Sequence, residues 1–176
     1  MSTLGIENIE HTNGTTAMTV DNAGRVLQPT KPVFQAFGIA GGTYAHGSHM
    51  ILPSDTVNVG SHYDNTTGRF TVPIAGTYFF TWSFLGNTAS TKYRYYLYKN
   101  GSELDGGVHT RLVGSGSQYD ANATGNWIGP AAVGDYFNIR YIADNGSTAS
   151  YPGANTSLAT TPSSAHYSKF GGYLIG

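Results

Sequence analysis

Asn58–Trp82 reads NVGSHYDNTTGRFTVPIAGTYFFTW. From Gly76 onward, alternate side chains of an extended chain point to opposite faces. Tyr78, Phe80 and Trp82, followed by Phe84, share one face; Phe79, Thr81, Ser83 and Leu85 share the other. Both faces begin apolar, so the strand over 77–85 is expected to be central and covered twice, by an opposing sheet and by a neighbouring subunit. Upstream, Asn65–Gly68 reads as a turn into a strand over Phe70–Val72. Phe70 and Val72 point inward, Pro73 ends the strand, and Gly76 permits a tight corner.

The rest of the chain follows the same rule. No window of a dozen residues places apolar side chains at helical spacing. Short aromatic and β-branched runs alternate instead with Gly, Asn and Ser clusters, the pattern of a two-layer antiparallel sandwich. Strands are expected at Val33–Ile39, Lys92–Lys99, Val108–Val113, Asn126–Ile128 (short), Tyr136–Ala143 and Tyr167–Ile175, with Gly41–His49 as a loop. Residues 1–30 form a separate segment with two strand-like pieces, Gly5–His11 and Thr16–Val20, and an Asn13-Gly14 turn. Its apolar residues are too few for a core of its own, yet too many for a linker. It is expected to be an attachment or neck segment ahead of a head domain over 31–176.

Composition narrows the function. Charged residues make up 11% and the formal net charge is −1, against about 25% charged in an ordinary domain. No basic stripe exists to track a phosphate backbone, so nucleic acid is not an expected partner. No run is long and apolar enough for membrane insertion. Cysteine is absent, which removes disulfides and thiolate chemistry. A surface made of Gly, Ser, Thr, Asn and Tyr suits a chain that buries area in an oligomer or presents contact loops.

The spacing in Asn58–Trp82 resembles the signature of the complement globular-head (C1q/TNF-like) family: an Asn, an aromatic after four residues, a Phe after six more, and after five more Gly-x-Tyr-x-Phe leading to a further aromatic. Those places hold Asn58, Tyr63, Phe70, Gly76, Tyr78, Phe80 and Trp82. Leu52 stands where the family has a leading Phe, and Trp82 where it closes with Phe or Tyr. Three further pieces follow in the family's order: YLYKNGSEL (96–104), VGDYFNIRY (133–141) and HYSKFGGYLIG (166–176). The resemblance covers residues 33–176. It implies an all-β, two-sheet antiparallel jelly roll, assembled as a homotrimer. The signature residues themselves read as core.

Candidate chemistry is sparse. Glu103 and Asp105 share a face after the Asn100-Gly101 turn and read as solvated turn residues rather than a glycosidase pair. His46 and His49, in one Gly-rich loop, are weak candidates for a metal or pH-sensing site gathered at a trimer axis. Ser115 lies in a Gly-Ser-Gly loop, not on a nucleophile elbow. No catalytic residue, metal or cofactor is expected. Asn87, Ser90, Tyr119, Asn122, Asn145 and Tyr151, in loops rich in Ser, Thr, Asn, Gly and Tyr, are candidate ligand contacts.

The function expected from these features is a trimeric projection on a bacteriophage virion surface, a fibre tip, spike or head decoration. Residues 1–30 would dock on another virion protein, and the head would bind a host-surface glycan or protein. The grounds are a start at Met1 without an export signal and a loose likeness of IEHTNGTTAMTVDNAGRV to phage structural repeats. The alternative is a secreted C1q-like recognition module for protein or glycan ligands. A glycan hydrolase is the third.

Overall fold

A computed structural model of the chain describes residues 5–39, 42–86, 92–104, 112–113, 121–143, 149–151 and 168–176. The strands are β1 (Asn8–Glu10), β2 (Thr16–Val20), β3 (Val26–Leu27), β4 (Val33–Phe37), β5 (Gly42–Tyr44), β6 (Ser54–Asn58), β7 (Tyr63–Asp64), β8 (Arg69–Thr71), β9 (Gly76–Gly86), β10 (Lys92–Lys99), β11 (Ser102–Glu103), β12 (Leu112–Val113), β13 (Ala121–Ala131), β14 (Tyr136–Ala143), β15 (Ala149–Tyr151) and β16 (Lys169–Leu174). A 3₁₀ turn spans Val59–Ser61.

Among the described residues these strands make four sheets, and every pairing is antiparallel. A five-stranded sheet runs β13-β9-β16-β4-β6. A second sheet runs β11-β10-β14-β8-β7, with β12 also paired to β10. The two lie face to face as a jelly roll. β15 pairs β5, and β1-β2-β3 form a sheet of their own.

The core between the layers is aromatic. Tyr78, Phe80, Trp82 and Phe84 of β9, Phe34 of β4 and Phe170 of β16 meet Phe70, Tyr95, Leu97, Phe137, Ile139 and Tyr141 from the other sheet, all buried. Phe80 stands at the centre, with ring centroids 4.5 Å from Phe137, 5.7 Å from Phe70 and 6.0 Å from Phe170. Phe34 stacks on Phe70 at 4.6 Å, and Phe84 on Tyr95 at 4.6 Å. Offset and edge contacts of this kind add about 0.5–1.5 kcal/mol per pair beyond area burial.

Several expectations need correction. The short strand over 126–128 is an eleven-residue strand, because Gly125, Gly129 and Pro130 weaken its propensity while a full ladder with β9 from Ala121↔Gly86 to Ala131↔Gly76 holds it extended. Part of the 41–49 loop is β5, which pairs with β15. The polar edge strand β6 and the two-residue β3 carry no apolar alternation and were not expected. Gly76 does not turn a corner in the left-handed region. Its role is close approach, since a Cβ there would meet Leu174 Cδ1 at 2.7 Å and Gly176 O at 3.0 Å. The outward face of β9, for which a neighbouring subunit was the expected cover, is partly open among the described residues: Thr81 is exposed and Phe79 half-buried. Of the strand expected over 108–113, Leu112–Val113 is seen; residues 105–111 lie outside the described residues.

The N-terminal sheet buries little. Ile6, Ile9, Val26 and Leu27 are all exposed. Its turns are held locally, by Asp21, which accepts from Ala23 N, Arg25 N and Arg25 Nε, and by Asn13, which accepts from Thr15 N. Lys31 Nζ donates to the carbonyl of Ile175 at 3.0 Å, next to the closing strand.

Candidate functional site

The signature residues form one connected structural knot. Asn58 ends β6 and clamps the backbone of Tyr63 twice: its Nδ2 donates to Tyr63 O at 2.9 Å, and its Oδ1 accepts from Tyr63 N at 3.1 Å. The Tyr63 hydroxyl donates to Leu52 O at 3.2 Å and accepts from Leu52 N at 3.3 Å. Its ring lies flat on Phe34, and burial pushes its hydroxyl well above the usual tyrosine range. Tyr78 donates to Ile74 O at 2.8 Å and Trp82 Nε1 to Tyr95 O at 3.2 Å. These polar ends are spent inside the fold, and Leu52, Phe70 and Phe80 have no polar group to offer.

The carboxylates with resolved surroundings are tied up in turns. Asp135 accepts from Lys99 Nζ at 2.8 Å, Asn100 Nδ2 at 2.7 Å and Ala132 N at 2.7 Å. Lys99 first, then Asn100 and Ala132, hold its carboxyl down at about 2. Asp64 takes Thr66 N, Thr66 Oγ1 and Thr67 Oγ1, which also hold it at about 2. Glu103 lies in β11 opposite Tyr98; Asp105 lies outside the described residues. No facing carboxylate pair emerges among the described residues.

Within one chain the two histidines sit in different surroundings. His46 is exposed in the turn after β5. His49 bridges to Arg140 across the sheet edge, and burial, then the charges of Arg140 and Arg69, lower its pKa. Two guanidiniums beside an imidazole repel a cation. Among the described residues no group of three His, Asp or Glu comes together.

Of the loop candidates, Asn87, Ser90, Tyr119 and Asn145 lie outside the described residues. Asn122 and Tyr151 are strand residues, not loop residues: Asn122 pairs Leu85 in the β13–β9 ladder and Tyr151 pairs Gly42 in β15–β5.

Sequence reading missed a different feature, the outward face of the five-stranded sheet. Register places Ile128 beside Phe79, Phe79 beside Tyr173, and Tyr173 beside Val33. This apolar row crosses four strands. Ile128 is 61% exposed and Tyr173 45%, and the rings of Phe79 and Tyr173 lie 5.4 Å apart. Lysine and carboxylate are nearly absent from the row's neighbours: Thr77, Thr81, Asn126, Gln35 and Gly171 flank it. The alternation in Thr77–Leu85 pointed to half of it; the partners on β13, β16 and β4 follow only from the pairing.

The C1q domain family matches over residues 40–146, more than half of the chain. Complement C1q tumor necrosis factor-related protein 3 of Homo sapiens, and that of Mus musculus, are each 38% identical over 57 residues, 32% of this chain and 23% of theirs. The match thus spans under a quarter of those relatives' length. Among solved structures, the globular domain of zebrafish complement 1qA protein superposes with a TM-score of 0.56 at 15% identity, covering 83% of this chain and 98% of that one. Murine APRIL at pH 5.0 gives 0.58 at 9%, covering 82% and 99%. At such identities these structures speak for the fold alone.

Proposed function

The chain belongs to the C1q domain family, and from that premise we propose that it is a non-enzymatic recognition module, a globular head that assembles as a homotrimer and binds a protein or glycan ligand. The observation that carries this reading is the uncovered row Ile128, Phe79, Tyr173 and Val33. The opposite face of the same sheet carries the buried core residues Phe34, Tyr78, Phe80, Trp82, Phe84 and Phe170, so the row is not spare core. A contiguous apolar patch rimmed by polar residues marks a place where another surface sits. A second copy of the same sheet presents the same row, and three copies around an axis cover all three rows, the assembly implied by the resemblance. The non-enzymatic reading is supported by Asp64, Asp135, Tyr63 and Tyr78, whose polar atoms are held by their own turns and core.

The setting favoured by the relatives is that of a secreted C1q-like recognition protein, since the curated matches are C1q tumor necrosis factor-related proteins of human and mouse. The relatives named above do not support the virion surface expected from the N-terminal lead-in, nor the docking of residues 1–30 on a virion protein. Sedimentation equilibrium on the full chain tests the assembly: the reading requires a mass three times the 18.7 kDa chain. A species that stays at one chain mass at micromolar concentration overturns it. A glycan and extracellular-protein array then identifies the ligand class.

A further inference from the structure

The outward face of the other layer carries a second surface of different chemistry. Register sets three rows there. Tyr96 of β10 pairs Arg140 of β14, which bridges to His49. Tyr98 pairs Asn138, and continuing the β14–β8 register by one residue from Phe137↔Phe70 sets Arg69 on the other flank of Asn138. Tyr136 pairs Thr71. Two cations cross this grid diagonally: the Arg69 guanidinium lies over the Tyr136 ring at 4.5 Å, and that of Arg140 over the Tyr98 ring at 4.3 Å. Stacking fixes the plane of each guanidinium while leaving its N–H edges able to donate.

Four buried polar atoms there lack partners among the described residues. Asn138 at the centre is fully buried, and among the described residues neither its Nδ2 nor its Oδ1 has a hydrogen-bond partner; the Nε atoms of Arg69 and Arg140 are likewise buried and unpaired there. Buried polar groups are nearly always satisfied, and an exception calls for an explanation, a water or an ion among them. The nearby carboxylates do not supply it. Asp64, opposite Arg69 in the β7–β8 ladder, gives its oxygens to Thr66 and Thr67. Glu103, opposite Tyr98, interacts with the Tyr98 hydroxyl. Neither arginine forms an ion pair among the described residues. Two of the chain's five arginines are thus each stacked on a ring, Arg69 on Tyr136 and Arg140 on Tyr98, on the face that holds the unpaired Asn138 amide.

We propose that this face is an oxyanion-binding site, in which Arg69 and Arg140, with Asn138 beneath them, take a carboxylate or sulfate group. The site is separate from the row on the other sheet, so its test does not depend on assembly. The group can arrive as a free anion or on an acidic sugar, and the two are distinguished by probe.

The direct measurement follows the arginine Nε–H resonances of the ¹⁵N-labelled full chain during titration with sodium sulfate, glucuronic acid, a sulfated disaccharide and a neutral disaccharide. Saturable shifts confined to Arg69 and Arg140, with Arg25 unmoved, are expected for the acidic probes and not for the neutral one. Equal affinity for sulfate and the sulfated sugar assigns a free anion; tighter binding of the sugar assigns an acidic glycan. Calorimetry of Arg140→Gln should show binding weakened roughly tenfold, the loss of one charge-assisted contact, whereas Lys99→Gln should bind as the unaltered chain does. The wild-type titration needs no folded variant. Absent shifts, or shifts spread over all arginines alike, overturn the proposal.

Discussion

Ile128→Ser probes the assembly face most sharply. Ile128 is 61% exposed in the single chain and lies on an outward position beside Phe79, so its loss leaves the core untouched. Full burial of an isoleucine side chain contributes about 1.5–3 kcal/mol. Covering the exposed part in a trimer therefore contributes about 1–2 kcal/mol per copy, and about 3–6 kcal/mol over three copies. At about 1.4 kcal/mol per decade, the trimer association constant falls roughly a hundredfold to ten-thousandfold. Three monomers enter each trimer, so the midpoint concentration moves as the square root, up by about tenfold to hundredfold. Sedimentation velocity over a dilution series reads that midpoint. Val133→Ser is the matched control, since Val133 is 67% exposed but sits in the turn before β14, off the row. If both substitutions move the midpoint equally, or neither does, the apolar row is not the interface.

Three further outcomes concern the fold that carries these surfaces. Asp135→Asn should lose about 1 kcal/mol at neutral pH, the screened remainder of a carboxyl held near 2 against an ordinary 3.8. Because the folded pKa is depressed, that contribution is present above about pH 4 and disappears as pH falls through 2; melts at pH 7 and pH 2 should show the gap close, and a constant gap would refute the ion-pair account. Gly172→Ala should cost about 3 kcal/mol or more, because its Cβ would enter the Phe80 ring and approach Phe79 O at 2.8 Å; urea unfolding measures it, and a neutral result would mean β16 can shift from β9. Asn58→Ala removes both bonds to the Tyr63 backbone and should destabilise by about 1–3 kcal/mol, whereas Asn65→Ala, which loses one exposed bond to Pro53 O, should change the same urea midpoint far less.

The alternation of Tyr78, Phe80, Trp82 and Phe84 was sufficient by itself to place one face of β9 in a two-layer core, because side-chain direction in a strand depends only on parity. The spaced signature from Asn58 to Trp82 carried the family and the jelly roll for the same reason: each of its residues has a local job, a clamp, a ring or a close approach, that survives in the linear order. Pairing was not legible in that order. The β13 ladder runs through Gly and Pro that argue against a strand, and only hydrogen bonds to β9 hold it extended. Both candidate surfaces depend on such pairings. Ile128, Phe79, Tyr173 and Val33 come from four separate strands, and Arg69, Asn138 and Tyr98 from three. A side chain's own neighbours in the chain dictate which way it points; which residues stand beside it is decided by register between distant strands, and that exists only once the sheets have closed.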